Sequence, residues 1–292
     1  MSFTNLSRRV LLRTAPLGLA TQAEARSIPL ALKTILQDYE RQTGGHVGLY
    51  AENTRTGAKL TWRDRQRFVM CSTFKASLAA CILRRADRGQ ENLADMIRFS
   101  QADIGDMYAP IAQANLAKGA LSVTDMCQAA VEYSDNLCAN ALLARIGGPP
   151  AMTAFWRSIG DPVSRLDHNE PLLNRSPPGD PRDTTTPRAM AGNLHRLVLG
   201  DILLPPSRQR FTNWLIGCQT GADRLRAGLP QGWVIGDKTG NNGKDAAGDI
   251  AIAWKQPNTP ILICVYTQGG TPTEAQFKTL FTQIGQAAGI YL

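Results

Sequence analysis

The sequence predicts a discontinuous α/β domain interrupted by an inserted all-helical domain, and three observations lead there. Alternation of apolar and polar residues marks strands near both ends of the chain, at His46–Asn53 and Lys59–Trp62 and again at Trp233–Asp237, Asp249–Trp254 and Ile261–Thr267. The long stretch between them, from Phe68 to Gly217, reads almost wholly helical. A helical segment precedes the first strand and another follows the last. Such an order builds a layered domain from remote pieces of the chain. The expected boundaries are 26–67 with 218–292 for the α/β domain and 68–217 for the insertion.

Each element has its own signal. Leu30, Leu32, Ile35, Leu36 and Tyr39 recur at helical spacing within Pro29–Arg41, and Gly44-Gly45 ends that helix. Val47, Leu49 and Ala51 alternate with polar neighbours, the turn Thr54–Gly57 follows, and the pair reads as a hairpin. In the middle stretch lie helices at Ser72–Arg88, Val123–Val131, Asn136–Ile146, Met152–Ser158 and Pro187–Leu199, the last with Thr186 as its N-cap. A proline-rich irregular segment separates the last two, at about 161–184. Loops that long inside a compact domain are usually functional. An amphipathic helix from Pro272 to about Ile290 closes the chain.

Composition excludes several classes of protein. Apolar residues make up 43% and charged ones 19% of the 292, too apolar for disorder. No apolar run is long enough to span a membrane. A net charge of +8 arises from scattered arginines with no interleaved aromatics, so the excess charge favours solubility and anions, and no nucleic-acid partner is expected. The six cysteines show neither CxxC spacing nor a Cys/His cluster, so no metal is expected, and they read as buried thiols. Residues 1–25 resemble a twin-arginine export signal: Arg8-Arg9 precede an apolar stretch, and Ala23-Glu24-Ala25 offers a small-x-small cleavage site. A periplasmic monomer without a membrane span is the expectation.

Candidate chemistry begins at Met70-Cys71-Ser72-Thr73-Phe74-Lys75. Three residues are nearly one helical turn, so Ser72 and Lys75 leave the same face. A nearby base is one standard remedy for the weak nucleophilicity of a hydroxyl. Alone, the same pair reads as an N-cap serine followed by an exposed lysine. Further on, Ser134-Asp135-Asn136 occupies a break between helices, where Ser134 can relay a proton, Asn136 can donate to a carbonyl and Asp135 can cap the next helix. Lys238-Thr239-Gly240 ends a strand with a cation, a hydroxyl and a residue that allows close backbone approach, which suits a carboxylate.

The three motifs in this order, spaced by roughly sixty and then a hundred residues, are the known signature of class A β-lactamases and penicillin-binding proteins, a recognised case and not one derived from this chain. From about residue 30 onward the sequence resembles a class A serine β-lactamase. That resemblance implies an antiparallel five-stranded sheet flanked by helices, a β-lactam substrate opened through a serine acyl-enzyme, and no cofactor. It further implies that the segment at about 161–184 is the family's Ω-loop, in which Arg165–Asn174 includes the Glu170 and Asn174 that hold the hydrolytic water, with a cis bond between Glu170 and Pro171. Ser72, Lys75, Ser134 and Glu170 are the implied catalytic residues. Asn136, Lys238, Thr239 and Gly240 are implied to bind substrate, with Asn241 giving the second oxyanion-hole N–H beside that of Ser72. Tyr108 resembles the aromatic at the pocket mouth. Ala246-Ala247-Gly248 lacks the family's usual carboxylate-binding arginine, and Arg224 resembles the alternative one.

Two departures stand out. His168 replaces an arginine that bridges to Asp183 in many relatives, which implies a looser Ω-loop. Cys71 precedes the nucleophile as in carbapenem-hydrolysing relatives, but Asn242 occupies the partner cysteine's position, so that disulfide cannot form. A DD-peptidase and a non-catalytic penicillin sensor share the three motifs and are the alternative readings.

Overall fold

The structure is a computed structural model that describes Met1 and residues 28–292 apart from 176, 178, 257 and 258. Apart from Met1, the expected export signal lies outside the described residues. In chain order the longer elements are α1 (Leu30–Thr43), β1 (His46–Asn53), β2 (Lys59–Trp62), α2 (Phe74–Asp87), α3 (Val123–Glu132), α4 (Asn136–Ile146) and α5 (Pro149–Ser158). There follow α6 (Pro187–Val198), α7 (Pro205–Ile216), β3 (Val234–Asn241), β4 (Ala246–Trp254), β5 (Pro260–Gln268) and α8 (Glu274–Tyr291).

The five strands form one antiparallel sheet, as expected, and their order in it is β2-β1-β5-β4-β3. Both faces are covered, which explains why β4 and β5 read as nearly continuous apolar runs. Ile261, Ile263 and Val265 of β5 face one core with Leu32 and Leu36 of α1 and Phe277, Phe281 and Ile284 of α8. Their alternates Leu262, Cys264 and Tyr266 face a second core shared with the helices of the middle stretch. From this division we propose the same two domains that the sequence implies, 26–67 with 218–292 and 68–217.

At the centre of the second core lies α2, whose residues from Phe74 to Leu83 are all buried. A helix buried all round needs small residues where neighbours press closest, and Ala76, Ala79 and Ala80 supply them. Among the described residues no helix is long and apolar enough to cross a membrane. All six cysteines are free and buried.

Some boundaries differ from expectation. Ser72 lies in a 3-10 turn, Cys71–Thr73, and the α-helix proper starts at Phe74. Within the stretch read as almost wholly helical, Phe68–Val69 pairs with Thr184–Thr185 and Met96–Arg98 with Ala120–Ser122. Two or three residues are too few to show a period of two. The Lys238-Thr239-Gly240 motif lies inside β3, which continues to Asn241, and β4 starts already at Ala246. Alanine and glycine have little strand propensity, so pairing with Gln268 and Thr267 of β5 sets that start.

Candidate active site

The position of Ser72 follows from local backbone geometry. Cys71, at φ 45°, turns the chain from the short strand Phe68–Val69 into the 3-10 turn, and Ser72 follows it at the head of α2. Gly240 of β3 passes directly beside this turn. A Cβ there would come 2.9 Å from Met70 O and 3.0 Å from Ser72 N, closer than atoms tolerate. Glycine is therefore what lets β3 edge the site.

Ser72 Oγ donates to Glu170 Oε1 at 3.0 Å, linking residues ninety-eight apart in sequence. Glu170 Oε1 is also 3.1 Å from Lys75 Nζ, and Glu170 Oε2 accepts from Asn174 Nδ2 at 2.6 Å. The Glu170–Pro171 bond is cis. Asn140, which the sequence reading did not single out, holds the backbone of Glu170 from both sides. Its Nδ2 donates to Glu170 O and its Oδ1 accepts from Glu170 N, each at 2.9 Å. Asn140 lies one helical turn beyond Asn136 on α4, and that i,i+4 spacing was the available signal.

Sequence spacing implied a Ser72–Lys75 hydrogen bond, but Lys75 reaches elsewhere. Its ammonium donates to Ser134 O at 2.8 Å and to Asn136 Oδ1 at 2.5 Å, with Ser134 Oγ at 3.4 Å. The cause is the break between α3 and α4. There Ser134 has a φ of 59° and presents carbonyl and hydroxyl together, while Asp135 caps α4 by accepting from Cys138 N at 2.9 Å. The other Asp135 oxygen accepts from Ile111 N and Ala112 N, both at 3.0 Å, anchoring the chain that carries Tyr108.

Lys238 Nζ donates to Ser134 Oγ at 3.0 Å from the opposite side. Both lysines are fully buried and lie behind the cavity wall. Burial lowers the pKa of Lys75, although the Glu170 carboxylate opposes the shift. Burial and the Lys75 charge bring Lys238 down to about 8 against the raising influence of Asp237 and Glu170. Ser134 Oγ therefore sits between two ammonium groups whose protons are unusually available.

A cavity of about 270 Å³ opens over these groups, lined by Ser72, Ser134, Asn136, Glu170, Thr239 and Arg224 among others. Tyr108, 60% exposed, stands at its mouth, and Asn174, Gly240 and Asn241 complete the wall. Roomier clefts of about 610 and 420 Å³ lie elsewhere, but neither holds this convergence of nucleophile, carboxylate and cations. Thr220, which carried no separate signal in the sequence, also lines the cavity and lies 2.6 Å from Thr239 by their hydroxyl oxygens. The Arg224 guanidinium is buried over the Phe281 ring, 5.1 Å from its centroid. Nη2 lies 3.6 Å from Glu274 Oε1, and Nη1 is buried without a hydrogen-bond partner. A buried guanidinium with a spare donor favours an incoming carboxylate.

The two departures also have structural counterparts. His168 Nδ1 lies 2.6 Å from Asp183 Oδ2, so the bridge expected at this position exists with an imidazole in it. Asp183 Oδ1 additionally accepts from the backbone N–H of Asp167 and of His168. Asn242 Oδ1 accepts from the N–H groups of Lys244, Asp245 and Ala246 at 2.9 to 3.0 Å, folding the β3–β4 turn. Cys71 remains a free thiol packed against Val69 and Ala246.

Residues 31–292 match the model of a family described as the beta-lactamase enzyme family. The L2 β-lactamase of Stenotrophomonas maltophilia is 41% identical over 98% of this chain and 93% of its own. A carbapenem-hydrolysing β-lactamase, KPC, of Klebsiella oxytoca is 44% identical over 78% of each chain. Among solved structures, a β-lactamase from Xanthomonas campestris superposes with a TM-score of 0.85 at 42% identity, covering 89% of this chain and 97% of that one. An ancestral class A β-lactamase gives 0.84 at 44% identity, covering 89% and 100%.

Proposed function

Because the chain belongs to the class A serine β-lactamases, we propose that it hydrolyses β-lactam antibiotics, penicillins and cephalosporins, through an acyl-enzyme on Ser72 and so confers resistance to them. The observation that carries this reading is the hydrogen bond from the Ser72 hydroxyl to a Glu170 carboxylate that Asn174 and Lys75 hold in place.

In acylation Ser72 Oγ attacks the lactam carbonyl as its proton passes to Glu170, its hydrogen-bond acceptor, or to a neutral Lys75, whose charged form burial disfavours, so acylation does not depend on Glu170 alone. The oxyanion accepts from the N–H groups of Ser72 and Asn241. The C–N bond then breaks, and the ring nitrogen takes the Ser134 hydroxyl proton. Lys75, 3.4 Å from that oxygen with Lys238 at 3.0 Å on its other side, replaces it and regains any proton held by Glu170, 3.1 Å away, which leaves that carboxylate ionised for deacylation. Arg224, Thr239 and Thr220 take the substrate carboxylate, with Lys238 adding charge from behind. Asn136 orients the acylamino group. In deacylation Glu170 takes a proton from a water fixed by Asn174. The hydroxide equivalent attacks the ester carbonyl, and Ser72 leaves with its proton restored.

Sustained turnover of nitrocefin tests the reading. A single stoichiometric burst without turnover would instead mark an acylating peptidase or sensor. Glu170→Ala converts the first behaviour into the second, with steady-state turnover down by about 10³-fold. The twin-arginine-like segment at Arg8-Arg9 supports export to the periplasm. Cell fractionation of an Arg8→Lys/Arg9→Lys variant tests it, with retention in the cytoplasm as the expected result. A monomer is the expected state, and light scattering on the purified protein checks it.

A further inference from the structure

We propose that the cleft between the base of the Ω-loop and the start of α6 is a second binding site, specific for a multiply charged oxyanion of the phosphate class. The cleft measures about 420 Å³, and Arg65, Arg67, Arg188 and Arg196 all line it. It shares no lining residue with the catalytic cavity.

The four guanidiniums are not equally occupied. Arg188 is fixed by its pair with Asp64 at 2.5 Å and by stacking over Tyr50, 4.8 Å from the ring centroid. Among the described residues Arg67 donates only to neutral oxygens, Val163 O at 3.1 Å and Thr184 Oγ1 at 3.0 Å. Arg196 likewise reaches Gly160 O at 3.3 Å and Asn193 Oδ1 at 3.5 Å, without a carboxylate. Arg65 is exposed and has no hydrogen-bond or ion-pair partner among the described residues.

The carboxylate lining the cleft is already committed. Asp161 is 2% exposed and accepts from Val163 N, Ser164 N and Asn193 Nδ2 at 2.6 to 3.0 Å; its charge acts on Arg67, but it forms no ion pair with any of the four arginines among the described residues. Arg67 is further crowded by burial and by the like charges of Arg165 and Arg157, which lower its proton affinity. The first turn of α6 adds to the imbalance. It contains no acidic residue and places Arg188 at its second position, where the helix dipole disfavours a cation.

Shape agrees with charge. Gly192 lies under the Arg196 guanidinium, and a Cβ there would come within 3.2 Å of Nη1. The glycine leaves the planar fork flat against the wall with donors available. Planar forks of this kind match phosphate oxygens in pairs. Three cations with no ion pair to a carboxylate among the described residues, around one concavity that holds a single Asp161, call for more than one negative charge, which favours pyrophosphate-like ligands or a phosphoryl headgroup over chloride. Arg67 bridges Val163 and Thr184, the two ends of the Ω-loop, so a bound anion would brace the neck of the loop that carries Glu170.

Isothermal titration of the purified protein with sodium pyrophosphate, at ionic strength held constant with chloride, tests the site. Saturable 1:1 binding is expected, weakened about tenfold or more by Arg65→Glu and by Arg65→Ala/Arg196→Ala. Arg224→Ala, which alters the catalytic cavity, should leave it unchanged. Because Arg65 is exposed and unpaired, Arg65→Glu should retain wild-type nitrocefin turnover, which verifies the fold. A parallel arm uses phosphatidylcholine vesicles with and without phosphatidic acid. Arg65-dependent binding to the acidic vesicles alone would assign the phosphoryl group to a lipid. Absence of binding in both arms, binding indifferent to Arg65→Glu, or binding lost in Arg224→Ala would each overturn the proposal.

Discussion

Lys238 shows how burial sets chemistry at a single residue. Its ammonium is fully enclosed and its pKa is brought down to about 8, so it loses its charge as pH rises through that value. Carboxylate binding then weakens, and KM for a penicillin should rise above about pH 8 with less change in kcat. Lys238→Arg keeps its charge and should flatten that profile. The stability effect has the opposite sense. The folded pKa lies below the unfolded one, so the unfolded chain binds more protons between pH 8 and 10.5, and this group's penalty is relieved as pH rises through that window. Asn140 supplies a second test. Asn140→Ala removes both clamps on the Glu170 backbone, costing about 1–3 kcal/mol by thermal denaturation and slowing deacylation more than acylation in stopped-flow traces. Residues such as Ser72 and Glu170 were legible because their chemistry demands particular side chains in a recognisable order. Asn140 and Thr220 were not, because an amide on a helix or a threonine in a loop acquires its role only from what the fold places beside it.

At the scale of elements, the site depends on how closely β3 approaches the turn that carries Ser72. Gly240→Ala presses on Met70 O and Ser72 N, and backbone cannot move aside cheaply. The oxyanion hole should open, lowering kcat by at least about tenfold with little change in melting temperature. The Ω-loop neck rests on the His168–Asp183 contact, where an imidazole stands in the place of the arginine that the resemblance implies. His168→Arg should tighten the loop and lower turnover of bulky oxyimino-cephalosporins relative to wild type; equal turnover would show that the contact does not set loop mobility. Strong periodicity made α1, β1, β5 and α8 readable. The start of β4 at Ala246 and the two short strand pairs were hidden, because pairing with distant partners creates them and their own residues hardly prefer them.

For the whole molecule, the sheet's two buried faces tie the ends of the chain to its middle. Tyr266 of β5 lies 2.9 Å from Thr73 Oγ1 by its hydroxyl, so the sheet touches the nucleophile's turn directly. The second core closes over α2, and Leu78→Ala there should cost about 2–5 kcal/mol in denaturant unfolding because it removes a fully buried side chain and leaves a cavity. The site thus lies where both packing units press on the same short turn. Its four chemical parts come from the turn before α2, the α3–α4 break, the Ω-loop and β3. The central claim is that an ester formed on Ser72 is released only through Glu170. Intact-mass spectrometry of Glu170→Ala after brief exposure to benzylpenicillin measures it most directly. One added substrate mass per chain is expected, persisting for minutes and mapped to the Ser72 peptide. An unmodified protein, or an adduct cleared as fast as in wild type, would contradict it.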